Sequence, residues 1–184
     1  MPRSGVGSLF QAAFKDLESR KLCGGGLKKT PDPFAGPWDV DLVVVGAGAE
    51  LSAWQERVRE AGLAERIRFL GFRKDVPQVL AACDVLVHPA HYEAYGLCVQ
   101  EALSRGLPAL VSAQAGVAER YRPELQDLLI ADPGDPAALA DRLIHWRNNL
   151  ERYRAAVIPL SNSLRSYTWD HMAERIIQIV QEAA

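Results

Sequence analysis

The 184-residue chain predicts an α/β fold in which a parallel sheet is flanked by helices on both faces. Three observations carry this expectation. Short apolar runs alternate with segments of helical period along most of the chain, which is the pattern of repeated βα units. The apolar runs are continuous rather than alternating, as in Val40–Val45 and Val85–His88, so both faces of these strands are expected to be covered. Gly and Pro punctuate the joins between the two kinds of segment, as at Gly62, Gly106 and Pro108, and there they stop helices.

Taken in order, residues 6–17 carry apolar side chains at helical spacing and predict a first helix. Residues 21–38 are rich in Gly, Pro and Lys and read as a long exposed loop. Val40–Val45 is the first clear strand. Residues 51–61 then read as a helix ended by Gly62, 67–70 as a strand, and 76–83 as a helix. Val85–His88 is a strand, and the helix from Leu97 runs to Arg105 before Gly106. Ala109–Ser112 is the next strand, followed by a short helix near 117–121 and a strand at 128–130. Residues 136–155 predict one long amphipathic helix, with Asp135 as its cap and Pro136 in its first turn. Past Pro159 the pattern predicts a final helix, Trp169–Glu182. There is no internal repeat, and the length suits one domain over residues 1–184.

Composition narrows the function classes. Lys and Arg number 21 against 23 Asp and Glu, a net charge of −2, which lacks the basic surplus of a nucleic-acid binder. No apolar stretch approaches the roughly 18 residues of a membrane span, and the N-terminus has no signal-peptide apolar core. Cys23, Cys83 and Cys98 form neither a CxxC pair nor a zinc spacing, and a reduced, cytoplasmic protein is expected.

In a parallel sheet the ligand lies beyond the carboxyl ends of the strands. The loops gathered there are 46–50, 71–75, 89–96, 113–119 and 131–135. One stretch stands out, Glu93-Ala-Tyr-Gly-Leu-Cys-Val-Gln-Glu101. Glu93 lies in the loop, Gly96 makes the turn, Leu97 opens the helix, and Glu101 is about one turn inside it. The first amides of that helix and its positive dipole end suit an anion. Flanking carboxylates suit the donor hydroxyls of a sugar. Either acid alone would be an ordinary helix-start or surface residue, but the combination favours a site. On the second loop, Arg73 and Lys74 are either solvated surface or contacts for a diphosphate.

Other motifs weaken on inspection. Gly46-x-Gly48 follows a strand, yet Leu51 stands where a dinucleotide fingerprint needs a small residue, and Gly71-Phe-Arg-Lys replaces the expected ribose acid. A nicotinamide cofactor is therefore disfavoured. Asp39-x-Asp41 resembles a metal pair for sugar nucleotides but falls at the opposite end of its strand, and no other metal-ligand spacing occurs. His88 and His91 lie at the binding edge and are assigned no catalytic role.

The run Val85-Leu-Val-His-Pro-x-x-Tyr-Glu-Ala-Tyr-Gly-Leu-x-x-x-Glu-Ala-Leu-x-x-Gly-Leu-Pro resembles the E-x7-E segment of retaining GT-B glycosyltransferases of the family 4 type. The likeness extends upstream through Val44-Val-Gly-Ala-Gly and Ile67-Arg-Phe-Leu-Gly-Phe. Downstream it takes in Val111-Ser, Gly116-Val-Ala-Glu119 and Asp132-Pro-Gly-Asp-Pro136, so that it covers roughly residues 40–150. The resemblance implies a single Rossmann-like, donor-binding domain, the C-terminal half of a GT-B fold, with 21–38 as a loop insertion. It also implies that 160–184 includes a helix able to cross to an N-terminal acceptor domain.

Carried over by position, Glu101 would bind the donor ribose. Gly96 and Leu97 would give amides to the diphosphate, and Glu93 would be catalytic, orienting the transferred hexose. Leu70 to Arg73 would lie near the base, and Phe72, Arg73 and Lys74 would be donor-binding residues. The donor would be a UDP-, GDP- or ADP-sugar, with no cofactor and no metal, and the acceptor is open. This chain alone is expected to have little or no transferase activity. The family's Arg and Lys at the start of this domain would fall near residues 1–5, where Arg3 is present and no Lys is. The pair Ala115-Gly116 stands where the family has two glycines. A catalytically silent interaction domain on the same fold is the competing reading, ahead of an NAD-dependent enzyme.

Overall fold

The computed structural model describes the backbone of Gln11–Asp16 and residues 40–183. The chain divides into two compact units, the first ending at His88 and the second beginning at Pro89. The loop read at 21–38, Arg3 and most of the first predicted helix lie outside the described residues.

The first unit contains four strands, β1 (Gln11–Asp16), β2 (Val40–Val45), β3 (Ile67–Gly71) and β4 (Val85–His88), with helices α1 (Leu51–Glu60) and α2 (Val76–Ala81). The strands lie in the order β3-β2-β1-β4. β2 and β3 are parallel, with a register irregularity between Val44 and Val45. β1 corrects the sequence reading at 11–16, where a helix was expected. It is a strand running antiparallel to both neighbours, paired from Gln11 to Asp16 with β2 and over Ala12–Phe14 with β4. A dozen residues of mixed apolar spacing fit both periods, and two flanking ladders that satisfy the main chain outweigh a local helical preference.

The continuous apolar strands are buried as expected: β4 is buried at all four positions and Val44 and Val45 are buried in β2. Asp41, read as a charge ahead of the strand, lies inside β2, where it is buried with Arg68 at 3.7 Å. Arg66 ties the start of β2 by donating to the Val40 carbonyl at 2.9 Å.

The second unit contains α3 (Leu97–Ser104), the parallel pair β5 (Ala109–Ser112) and β6 (Leu129–Ile130), and the helices α4 (Pro136–Asn148), α5 (Leu150–Ser166) and α6 (Trp169–Glu182). Two 3₁₀ turns, Gly116–Arg120 and Pro123–Leu128, join β5 to β6. Leu103, Leu110, Leu125, Leu128, Trp146 and Tyr153 are fully buried and form its core. Tyr121 donates from its hydroxyl to the Ala109 carbonyl at 2.7 Å, and burial, with Cys98 nearby, pushes its phenol well above the usual range.

Two helix boundaries differ from the sequence reading. The predicted helix 136–155 is interrupted at Asn149, whose backbone leaves helical geometry (φ −125°, ψ 29°) and serves as both C-cap and N-cap. Its side chain donates to the His145 carbonyl at 2.8 Å, the local competition with the helix ladder that Asn favours. Pro159 does not end a helix but lies inside α5. A mid-helix Pro costs about 3 kcal/mol, and the buried Tyr153, Val157, Leu160 and Ser161 of the same helix offset that cost. Ser161 also donates to the Ser104 carbonyl at the end of α3, at 2.9 Å. The Asp135 cap is as read, its carboxylate accepting from the Ala137 and Ala138 amides at 2.9 and 3.1 Å. In α6, Trp169, Ile176, Ile177 and Val180 are all exposed. Among the described residues no helix is long and apolar enough to cross a membrane.

Candidate functional site

The second unit brings four of the predicted residues together on one loop and helix start. Gly96 is the N-cap of α3 in the left-handed region, with φ 100° and ψ 59°. An L-residue there is strained, and a Cβ would lie 3.1 Å from Val117 Cγ1 and 3.4 Å from Glu93 Cγ, so Gly is required on both counts. No side chain caps the helix. Its first amides have no acceptor within the helix and, with the dipole, form an anion-accepting end. Leu97, at the first helical position, is 69% exposed, whereas Cys98, Val99, Ala102 and Leu103 fix the inner face of α3.

The two acids have different surroundings. Glu93 is half-buried, and its Oε1 accepts from the Tyr95 amide at 3.2 Å, which turns the carboxylate back over its own loop. Glu101 is exposed on the outer face of α3. Tyr95 is held by a hydroxyl bond to Gln100, so the loop and the first turn of α3 are joined by side chains as well as by chain connectivity.

Three loops of this unit converge. Ser112 Oγ donates to the Ala90 carbonyl at 2.6 Å, and the Val117 amide donates to the Tyr95 carbonyl at 2.8 Å. A Cβ on Gly116 would stand 2.5 Å from the Ala94 carbonyl oxygen, and one on Gly134 would stand 3.2 Å from the His91 ring. The loops 89–96 and 113–119 are thus packed backbone to backbone, and 131–135 meets the first through the His91 ring. Gln114 completes the link by donating to the Ala131 carbonyl at 2.9 Å. Sequence spacing alone did not assign Ser112 and Val117 a part in the site. The available signal was a small hydroxyl at the end of β5 and a glycine four residues after it.

Phe72, Arg73 and Lys74 belong to the first unit, on the loop after β3. Gly71, at φ 63°, makes its turn, and the Gly46 amide donates to the Gly71 carbonyl at 2.9 Å, which joins the two glycine loops of that unit. Phe72 is 76% exposed and Lys74 is exposed. Arg73 makes a bidentate pair with Asp75, Nε to Oδ1 at 2.7 Å and the second nitrogen to Oδ2 at 2.5 Å. The hydrogen bonds and charge of this pair raise the Arg73 pKa and lower that of Asp75. An anion at Arg73 must therefore compete with a carboxylate already in its fork. Among the described residues, no three His, Cys, Asp or Glu side chains are grouped so as to hold a metal ion.

Comparison with known proteins bears on this geometry. The family model described as glycosyl transferases group 1 matches residues 38–158. A phosphatidyl-myo-inositol mannosyltransferase of Mycobacterium leprae is 33% identical over 192 residues, covering 100% of this chain and 48% of that protein. An uncharacterised glycosyltransferase of Bacillus subtilis, YqgM, is 32% identical over 123 residues, covering 64% of this chain and 34% of its own. The chain spans half or less of the length of these curated relatives.

Among solved structures, Anabaena Alr3699/HepE in complex with UDP-glucose superposes with a TM-score of 0.66 at 21% identity, over 76% of this chain and 40% of that one. WaaG, a glycosyltransferase involved in lipopolysaccharide biosynthesis, gives a TM-score of 0.60 at 26% identity, over 74% and 37%. The α/β fold is thus the one seen in these proteins.

Proposed function

The chain belongs to the glycosyl transferases group 1 family, and from that premise we propose that it is the nucleotide-sugar-binding, C-terminal half of a retaining GT-B enzyme of the family 4 type. The observation that carries the reading is the uncapped start of α3 behind Gly96, with Glu93 on the loop before it and Glu101 on the helix after it. An anion at the helix start lies between an acid that can reach a sugar and an acid that can reach a ribose.

In this reading Gly96 and Leu97 donate main-chain amides to the diphosphate, and Glu101 accepts from the ribose hydroxyls. Glu93 is the catalytic residue that orients the transferred hexose, while Phe72, Arg73 and Lys74, on the loop after β3 of the first unit, are read as donor-binding residues. The leaving diphosphate is stabilised by the helix start and by cations, without a metal. Both compact units together make up the donor-binding half. The exposed apolar face of α6 fits a helix that crosses to an acceptor-binding half, and the whole enzyme is read as cytoplasmic. That UDP-glucose is bound by the Anabaena protein supports a UDP-sugar ahead of GDP- or ADP-sugars, with the acceptor open.

The test is calorimetric titration of this chain with UDP, UDP-glucose, GDP and ADP, with NAD as a control. At least one nucleoside diphosphate is expected to bind. Glu101→Ala should weaken it about tenfold or more, since a hydrogen bond to a charged group is worth about 1.5–3 kcal/mol. Binding of NAD alone, of no nucleotide, or equal affinity in Glu101→Ala would overturn the assignment.

A further inference from the structure

We propose that the loop after β5 is a clamp on the Glu93 loop, and that Ser112 and Gly116 are positioning residues which set where Glu93 meets the transferred sugar. The proposal rests on the donor-binding reading of this site and adds to it the residues that aim its acid.

The stretch carrying Glu93 is pinned on both sides. Three residues before it, the Ala90 carbonyl accepts from Ser112 Oγ at 2.6 Å. Two residues after it, the Tyr95 carbonyl accepts from the Val117 amide at 2.8 Å. Between these points Gly116 runs against the main chain itself, so that an added Cβ would lie 2.5 Å from the Ala94 oxygen and 3.2 Å from Tyr95 Cα. Those neighbours are backbone atoms and cannot rotate away as a side chain tip would. Ser112 and Val117 are buried, which shields both hydrogen bonds from competing water.

The clamp reaches the carboxylate through Tyr95. The residue whose carbonyl is held by Val117 is also the one whose amide holds Glu93 Oε1 at 3.2 Å. Moving Tyr95 therefore moves the acid. Val117 makes a second connection, since its Cγ1 lies 3.1 Å from where a Gly96 Cβ would be. Glu101 has no part in this arrangement, being exposed on α3, so the ribose contact should survive a change in the clamp that the sugar contact does not.

The experiment compares Gly116→Ala and Ser112→Ala with the unaltered chain, using UDP and UDP-glucose as probes and amide hydrogen exchange without ligand. A misplacement of about 1 Å at a site can cost on the order of a hundredfold in rate, and for binding we expect Gly116→Ala to raise the Kd for UDP-glucose about tenfold relative to that for UDP. The Kd for UDP should stay within about twofold, and Ser112→Ala, which removes one bond without adding an atom, should shift the ratio the same way by about threefold. Exchange at the Val117 amide should quicken in Gly116→Ala while that at Leu110 and Val111 in β5 does not.

An unchanged ratio with Val117 still protected in both variants overturns the proposal. So does an equal loss of both ligands accompanied by a lower Tm, which a merely structural role would give. If the unaltered chain binds neither probe, the donor reading fails by itself. Retained Val117 protection in Gly116→Ala would then sink the clamp too, and lost protection would uphold it. Should Gly116→Ala not fold, Ser112→Ala carries the same comparison.

Discussion

Tyr121 and the Glu93–Glu101 pair are residues whose surroundings decide what they can do. Tyr121 is fully buried with its hydroxyl on the Ala109 carbonyl, and burial raises its pKa. In the unfolded chain a phenol ionises near pH 10, so above about that pH the unfolded state binds fewer protons than the folded one. Stability is then retained below about pH 10 and falls as pH rises beyond it. Urea midpoints at pH 8 and pH 11 should differ, and Tyr121→Phe should narrow that difference, losing about 1 kcal/mol at pH 8 with the hydrogen bond and less at pH 11. An undiminished alkaline slope in Tyr121→Phe would assign the effect elsewhere, with Tyr153, whose pKa burial and Asp127 also raise, as the next residue to change. The two acids and Gly96 were legible in the sequence because all three lie on one strand–loop–helix unit, where spacing is geometry. Ser112, Gly116 and Val117 were legible only as part of the resemblance and of a loop at the sheet edge, because they approach the Glu93 loop from about twenty residues away and their evidence is a missing Cβ, one main-chain bond and one hydroxyl bond to a carbonyl.

At the scale of elements, the start of α3 depends on Gly96 and the start of α4 on Asp135. Gly96→Ala should lower stability by about 1–2 kcal/mol from the left-handed backbone alone, and more if Val117 cannot shift. Asp135→Ala should cost about 1 kcal/mol through two lost amide bonds, with no change in nucleotide binding. Chemical denaturation reads both, and a Gly96→Ala protein as stable as the parent would contradict the observed turn. The strands β2 to β5 were legible because each is a short, mainly apolar run that ends at or just before Gly, Pro or Ser. The departures from the sequence reading have particular physical causes. β1 is fixed by ladders to β2 and β4, α5 carries Pro159 because its buried face outweighs one lost bond, and the α4–α5 break follows one Asn149 side chain reaching back to His145.

For the molecule as a whole, the question is how much of a transfer reaction this chain can perform. A helix start contributes about 0.3–2 kcal/mol toward an anion, whereas even millimolar affinity requires about 4 kcal/mol. Several contacts must therefore act together. We expect the chain to bind UDP or UDP-glucose weakly, at roughly 0.1–1 mM, where the required free energy is about 4–5.5 kcal/mol. Transfer is a stricter demand, because the donor carbon and the acceptor hydroxyl must be held in near-attack geometry, which is worth about 7–11 kcal/mol of the barrier. Relatives of which this chain covers 34% and 48% have room for a second half to supply that acceptor site. The exposed apolar face of α6 fits an element made to meet such a half. Incubating the chain with UDP-glucose and a panel of lipid, sugar and polyol acceptors should release UDP no faster than buffer does. Glycosylated product above that background would overturn this expectation and would mean that the acceptor is held by this chain itself.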